Sequence, residues 1–177
     1  MTTKECCEIA EQIRREYNPE NLSPFPYQNI TADKQDLSLK ISNFDGDIDS
    51  ISGATIYYPD KNIFDILINS NKPRTRQHFT IAHELGHYFL HQEILKNEKI
   101  IIDDDNIDSQ RVLYRIDNAE RNKIETEANN FAATLIMPED LVKDAWRRLE
   151  DIQECAKIFN VSLIAMTIRL ERLGLVE

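Results

Sequence analysis

Glycine, cysteine and long apolar runs are scarce in this 177-residue sequence, and each scarcity excludes a class of protein. The four glycines are spaced neither as G-x-G-x-x-G nor as a Walker loop, which excludes dinucleotide-binding and P-loop sites. The three cysteines are odd in number, two are adjacent, and no C-x-x-C spacing occurs. We therefore expect small packing residues rather than a disulfide framework or a thiolate metal site.

Positively charged residues are outnumbered by negatively charged ones. The 21 Lys and Arg residues against 31 Asp and Glu residues give a net charge of −10, which repels a phosphate backbone and argues against direct nucleic-acid binding. No run of 18 apolar residues is present, and the first residues lack the apolar stretch of a signal peptide. The sequence predicts a cytoplasmic protein with no membrane partner.

Hydrophobic periodicity predicts both helices and strands. The predicted helices cover residues 5–17, 77–95 and 119–136, with two or three shorter helices after Pro138. The predicted strands cover residues 37–44, 51–58 and 63–68, the last two joined as a hairpin by the turn residues 59–62. Residues 18–34 and the acidic stretch through 103–105 are predicted to be loops. Residues 45–49 resemble a calcium loop only loosely, and a solvated turn is favoured.

These elements predict an α+β fold in which a small, mainly antiparallel sheet packs on the helices. We expect residues 1–150 to form one domain and residues 151–177 to form a helical tail packed on it. The outline of that tail, a helix, a turn at 160–162 and a second helix, resembles a helix-turn-helix.

The segment 83–87 reads H-E-L-G-H and matches H-E-x-x-H, a pattern that places two imidazoles one helical turn apart beside a carboxylate. Apolar residues cover most of the circumference of this helix, and His83, Glu84, His87 and His91 share the remaining sector. Buried polar groups cost free energy unless they are paired, and one metal ion pairs two imidazoles at once. We therefore predict that His83 and His87 bind a metal ion.

Catalytic zinc needs a third protein ligand, and the helix at 119–136 offers two carboxylates. Helical projection places Glu125 about 60° and Glu127 about 100° from the centre of the apolar stripe, which favours Glu125. Asn129 lies one turn after Glu125, where it could hydrogen-bond a ligand imidazole. His91 lies about 12 Å along the axis from His83, too far to reach the same ion, so we assign it to packing or to hydrogen bonding behind the ligands.

Two segments, F-T-I-A-H-E-L-G-H-Y-F-L-H at 79–91 and E-T-E-A-N-N-F-A-A-T-L-I-M-P at 125–138, resemble the ImmA/IrrE family of metallopeptidases. The resemblance extends into the tail at 159–162 and 169–175. It implies a zincin-like fold and a Zn²⁺ ion held by His83, His87 and a glutamate of the segment 125–128, with Glu84 as the catalytic carboxylate. The likeness of this segment to the E-x-x-A-D ligand segment of other gluzincins, with Asn129 in place of Asp, again favours Glu125.

The family resemblance also implies a substrate class, because members encoded on mobile elements and phages cleave helix-turn-helix repressors and others act in stress responses. The expected function is therefore a zinc endopeptidase that cleaves a regulatory protein. In this mechanism Glu84 is the general base and then the general acid. Tyr88, Tyr114 and Arg115 are candidate donors to the oxyanion, and the strand 63–68 is a candidate to pair with an extended substrate.

Two alternatives remain open at this stage. Two histidines and one carboxylate also describe a non-haem iron site, although Glu84 favours hydrolysis. The second alternative is a non-catalytic, metal-binding regulator that binds a repressor or DNA through the tail. Its basic groups would be Arg169 and Arg172 on the last helix.

Overall fold

The computed structural model describes residues 1–44, 50–98, 100–104 and 118–177. The helices of these ranges are α1 (Thr3–Tyr17), α2 (Gln28–Asp33), α3 (Arg74–Leu90), α4 (Gln92–Glu98), α5 (Asn118–Ile136), α6 (Glu139–Leu149), α7 (Ile152–Phe159) and α8 (Leu163–Arg172). The strands are β1 (Leu37–Ser42), β2 (Ile51–Tyr58), β3 (Ile63–Asn69) and β4 (Ile100–Asp104). The α+β class predicted from the sequence is confirmed.

The described strands form one sheet in the order β1-β3-β2-β4. β2 and β3 are antiparallel neighbours joined by a short turn, which confirms the predicted hairpin. β4 pairs antiparallel with β2, whereas β1 pairs parallel with β3. The sheet is therefore mixed, with two antiparallel pairings and one parallel pairing.

The prediction that strand 63–68 pairs with a substrate is wrong. This strand is β3, and its two edges are occupied by β1 and β2. A strand paired on both sides has no backbone groups left for a third partner.

The prediction of a loop through 103–105 is also wrong for the residues up to Asp104, because these residues are part of β4. Ile100, Ile101 and Ile102 pair with Ile56, Thr55 and Ala54 of β2. A run this short has no readable period, and its pairing partner lies more than forty residues earlier in the chain. Residue 105, like the calcium-loop-like segment 45–49, lies outside the described residues.

Residues 18–34 are not the surface connection that the sequence predicted. They contain the short helix α2, and the side chains of Phe25, Tyr27 and Ile30 are buried in the core. The buried Arg14 of α1 closes this segment onto the rest of the protein, since it donates to the carbonyl oxygens of Leu22 and Leu135. Proline and polar residues in this stretch masked the widely spaced apolar positions that pack inward.

The predicted helix 77–95 is two helices. α3 ends at Leu90, His91 is its C-cap, and α4 begins at Gln92. Neither Gly nor Pro marks the break, so local sequence signals do not reveal it. The side chain of His91 instead bonds to Glu127 of α5, a contact between residues distant in sequence.

One hydrophobic core joins the helices to the sheet and includes the tail. Cys155, Phe159, Met166 and Leu170 of α7 and α8 are buried in the same cluster as residues of α1, α3 and α5. All three cysteines are free, and Cys6 and Cys155 are buried as expected for packing residues. The division at residue 150 stays a prediction. Within the described ranges, no helix is both long enough and apolar enough to cross a bilayer.

His78 on α3 makes the stability of this core depend on pH. Its side chain is buried against the ring of Tyr27, and burial lowers its pKa to about 4, although the backbone of Asn160 acts in the opposite direction. The imidazole of His78 therefore takes up a proton near pH 6.5 in the unfolded chain, but only near pH 4 in the folded protein. Stability due to the neutral ring is complete above pH 6.5 and is lost as the pH falls toward 4.

We expect the wild type to lose about 2 kcal/mol more unfolding free energy between pH 7 and pH 5 than His78→Phe, which cannot take up the proton. Urea unfolding at both pH values measures this, and comparing the two proteins cancels the other titrating groups. Equal pH dependence in wild type and variant would show that His78 does not titrate between the two states.

Candidate metal centre

The H-E-x-x-H segment lies on the buried central part of α3. The exposed fraction is 2% for His83 and 0% for Glu84 and His87. Because the two histidines are four residues apart on a helix, their rings project from the same face. The Nε2 atoms of the two rings lie 3.0 Å apart.

α5 supplies two side chains to this imidazole pair. A carboxylate oxygen of Glu125 lies 3.1 Å from His83 Nε2, and its other oxygen lies 3.5 Å from His87 Nε2. Asn129, one turn later, lies behind the first ring, with its Oδ1 3.1 Å from His83 Nδ1. Glu125 and Asn129 therefore flank His83 on opposite sides of its ring.

The charge state of these groups suits a cation. Burial acts to raise the pKa of Glu125, but the hydrogen bond from His83 and the charges of His87, His83 and Arg121 outweigh burial and bring it to about 2. Burial, with His83 beside it, holds the pKa of His87 well below its usual value. At neutral pH the site thus combines an ionised carboxylate with neutral imidazole at His87.

The donor set fits a divalent metal ion. One ligand atom from each of His83, His87 and Glu125 can be chosen so that all lie within 4.8 Å of one another. The two Nε2 atoms face each other at 3.0 Å while Nδ1 of each ring faces another polar side chain, so a cation held between the two Nε2 atoms would suit this arrangement. A tetrahedral zinc ion holds two nitrogen ligands about 3.3 Å apart, close to this separation. Two imidazoles and one carboxylate are a zinc-type ligand set.

Glu127, the alternative third ligand, lies elsewhere. Its carboxylate contacts His91 Nε2 at 2.9 Å and the N-terminal ammonium of Met1 at 2.9 Å. His91 in turn places its Nδ1 3.1 Å from Nδ1 of His87, on the side of that ring away from His83. The structure thus groups Glu125 with the imidazole pair and Glu127 with His91. The roles of these residues as ligands stay predictions.

Thr55 of β2 is a site residue that sequence reasoning missed. Its hydroxyl donates to Glu84 Oε2 at 2.6 Å, and its side chain is fully buried. Two residues earlier on β2, a Cβ on Gly53 would lie 2.5 Å from Thr80, four residues before Glu84. Two strand residues and one helical turn both advance about 6 Å, so β2 and α3 run side by side. A threonine in a strand gives no signal of this role until the strand's position is known.

Gly86 sets the distance between the two helices that carry the site. A Cβ at this position would lie 3.1 Å from Cα and 3.2 Å from the carbonyl oxygen of Ala128 on α5. These are backbone atoms, which cannot turn aside as the end of a flexible side chain can. The glycine therefore allows α5 to bring Glu125 close to the imidazole pair.

We expect Gly86→Ala to lower the free energy of unfolding by about 1–2 kcal/mol, since the overpacking outweighs the better helix propensity of alanine. The displaced α5 should also weaken metal binding. Chemical unfolding and titration of metal-depleted protein with zinc measure the two effects. Unchanged zinc affinity in the variant would show that the approach of α3 to α5 does not set the position of Glu125.

Of the three predicted oxyanion donors, the structure describes only Tyr88, and its geometry gives that prediction no support. The hydroxyl of Tyr88 donates to Asp36 at 2.9 Å, and its ring packs edge-on against Phe64 of the sheet. Burial, followed by the hydrogen bond and charge of Asp36, raises its pKa. Tyr88 is thus engaged with the sheet side of α3. The other two candidates, Tyr114 and Arg115, lie outside the described residues.

The tail does not present the basic surface that a DNA-reading helix needs. Arg169 donates to the carbonyl oxygen of Met137, and Arg172 donates to Asn130. The large exposed hydrophobic side chains of α8 are those of Leu163, Ile164 and Ile168. Since DNA recognition requires cationic side chains free to reach phosphates and bases, the tail gives the DNA-binding alternative no support.

Comparison with known proteins bears on the same segments. The model of the M78 peptidase family, described as the IrrE N-terminal-like domain, matches residues 37–171. The metallopeptidase ImmA of Bacillus subtilis is 31% identical over 117 residues, which cover 65% of this chain and 61% of that protein. The radiation response metalloprotease IrrE of Deinococcus deserti is 37% identical over 92 residues, covering 52% of this chain and 28% of that protein. IrrE of Deinococcus radiodurans is 36% identical over 108 residues, covering 59% and 29%.

The chain therefore matches less than two thirds of the length of each of these relatives, and under a third of the two IrrE proteins. The family match itself spans most of this chain, from β1 to residue 171 in α8, and includes His83, Glu84, His87 and Glu125. The chain belongs to the ImmA/IrrE family of metallopeptidases.

Proposed function

We propose that this protein is a zinc-dependent endopeptidase with His83, His87 and Glu125 as metal ligands and Glu84 as the catalytic carboxylate. The observation that carries the proposal is the meeting of His83, His87 and Glu125 from two helices, with the buried Glu84 next to His83 in sequence. The predicted zincin-like fold and the cytoplasmic location are part of the same proposal.

Three side chains have separate roles in the proposed reaction. When bound, zinc supplies Lewis acidity, which polarises the scissile carbonyl and makes water a better nucleophile. Glu84 accepts the proton of the attacking water and later delivers it to the leaving amine. The hydrogen bond from Thr55 holds the carboxylate of Glu84 in place, and Asn129 holds the ring of His83.

The substrate is proposed to bind as an extended strand along β4. β4 is the edge strand of the described sheet on the side of β2, and Ile101 of β4 pairs with Thr55, the residue that bonds to Glu84. An edge strand offers unpaired backbone groups to an extended peptide, which β3 does not. A peptide at this edge would lie one strand beyond the residue that holds the catalytic carboxylate.

Hydrogen exchange tests this placement. Adding a candidate substrate to the inactive Glu84→Gln variant should slow the exchange of the amides of residues 100–104. The amides of β1, at the opposite edge of the sheet, serve as the control and should exchange as before. Protection confined to β1, or no protection at either edge, would contradict binding along β4.

The substrate class is proposed to be a helix-turn-helix repressor. The support is the sequence resemblance to the ImmA/IrrE family, to which the chain belongs. The test is co-expression of the protein with repressors encoded beside it, followed by sequencing of the termini of any fragment. Cleavage by the wild type and an intact repressor with Glu84→Gln would support the proposal.

The same experiment separates the two alternatives. If the repressor is inactivated equally by wild type and by Glu84→Gln, the protein acts by binding and is not a protease in that setting. Metal analysis of the untagged protein distinguishes a zinc site from a non-haem iron site.

A further inference from the structure

A chain of three buried side chains leads from the imidazole pair to α5. Nδ1 of His87 lies 3.1 Å from Nδ1 of His91, and Nε2 of His91 lies 2.9 Å from Oε2 of Glu127. The exposed fractions are 0% for His87, 4% for His91 and 7% for Glu127. His91 therefore uses one ring nitrogen for each neighbour.

Metal binding at Nε2 of His87 sets the direction of each hydrogen bond in this series. A His87 ring that offers the lone pair of Nε2 to a metal ion carries its hydrogen at Nδ1, where it faces Nδ1 of His91. Nδ1 of His91 must then accept, which leaves the hydrogen of that ring at Nε2, facing the carboxylate of Glu127. A carboxylate accepts this hydrogen, so Glu127 favours the same direction. His87 is then left with its lone pair at Nε2, the nitrogen that faces His83 and Glu125.

We propose that His91 and Glu127 are positioning residues that hold His87 in the tautomer able to bind a metal ion and thereby raise the affinity of the site for zinc. The inference rests on the proposed function, because it concerns a ligand of the same site. α5 would then orient both imidazoles: His83 directly through Asn129, and His87 through His91 and Glu127.

A single substitution can reverse the direction of these hydrogen bonds without changing the shape of the side chain. The amide group of Glu127→Gln can donate to Nε2 of His91, which allows the hydrogen of His91 to move to Nδ1. That hydrogen would point at the hydrogen on Nδ1 of His87. The conflict is relieved when the hydrogen of His87 moves to Nε2, the position that the metal needs.

The first measurement is the tautomer of each histidine by long-range ¹H–¹⁵N NMR on the wild type, labelled with ¹⁵N-histidine and studied with and without zinc. The chain has only four histidines, so each ring can be assigned. We expect His91 to carry its hydrogen at Nε2 in both states, and His87 to carry its hydrogen at Nδ1 with zinc bound. A role in packing alone would not fix these positions.

The second measurement is the zinc dissociation constant, by competition with a chelator. Glu127→Gln should raise it about 10- to 100-fold and shift the hydrogen of His91 to Nδ1. Asp65→Asn is the matched control: Asp65 is a buried carboxylate of β3 that accepts from Ser38 and Lys40, away from the site. Its zinc affinity should stay at the wild-type value.

The outcomes separate this inference from the function on which it rests. A wild type that takes up no zinc overturns the proposed function together with the inference. A wild type that binds zinc with the hydrogen of His91 at Nδ1 overturns the inference alone. The same holds if Glu127→Gln, correctly folded, binds zinc as tightly as Asp65→Asn. Because the tautomers are read on the wild type, the test stands even if the variant fails to fold.

Discussion

Glu84→Gln should lower kcat for peptide hydrolysis by about 10²- to 10⁴-fold, the range that a positioned general base contributes. The amide cannot take a proton from water, yet it has the shape of the carboxylate, and its oxygen can still accept from Thr55. Because Glu84 is not among the three grouped ligands, the variant should bind zinc as the wild type does. Kinetics on a cleaved repressor, together with metal analysis of the same preparation, measure both quantities.

Glu93→Gln is a suitable control for this prediction. Glu93 is an exposed carboxylate on α4, shortly after the site in sequence, and its ion pair with Lys96 lies at the surface. Its removal should leave kcat unchanged. If Glu84→Gln retained zinc and more than a tenth of the wild-type kcat, Glu84 would not be the catalytic base.

The second large effect is the loss of the metal in His87→Ala. The substitution removes one of the three ligands and deprives the buried His91 of its neighbour. An ion bound only by the folded state contributes about 2.7 kcal/mol when its free concentration is 100 times the dissociation constant. For a protein of this length that corresponds to roughly 5–10 °C in melting temperature. His87→Ala should melt at or below the temperature of chelated wild type, and zinc should not raise it.

Thermal unfolding with and without a chelator measures this for the wild type, for His87→Ala and for Glu84→Gln. The Glu84→Gln variant should keep the full response to zinc, because it removes no ligand. Equal melting temperatures of the wild type with and without the chelator would show that no metal stabilises the fold.

Local sequence patterns were sufficient to predict the elements that carry the site. Four-residue spacing on a buried helix aligned His83 with His87, and the position of Glu125 relative to the apolar stripe of α5 indicated which glutamate projects toward α3. These features depend only on helix geometry, which a sequence shows directly. The structure places the carboxylate of Glu125 beside the imidazole pair and that of Glu127 beside His91.

The remaining parts depend on contacts between distant segments. β4 forms because its isoleucines pair with β2, α3 ends where His91 meets α5, and Thr55 reaches Glu84 because β2 lies along α3. None of these contacts leaves a periodic pattern in the local sequence, and Gly53, at the close approach of β2 to α3, does not by itself identify the helix it packs against. For the same reason, the hydrogen-bonded series from His87 through His91 to Glu127 could be identified only once the positions of α3 and α5 were known.

The position of a bound zinc ion tests the central claim most directly. Anomalous X-ray diffraction at the zinc edge, on crystals of the untagged wild type, locates the ion relative to its neighbours. We expect one site per chain, with ligands from His83, His87 and Glu125 at about 2.0–2.2 Å. A zinc ion bound by Glu127 instead of Glu125, or the absence of zinc from the imidazole pair in zinc-saturated crystals, would contradict the account.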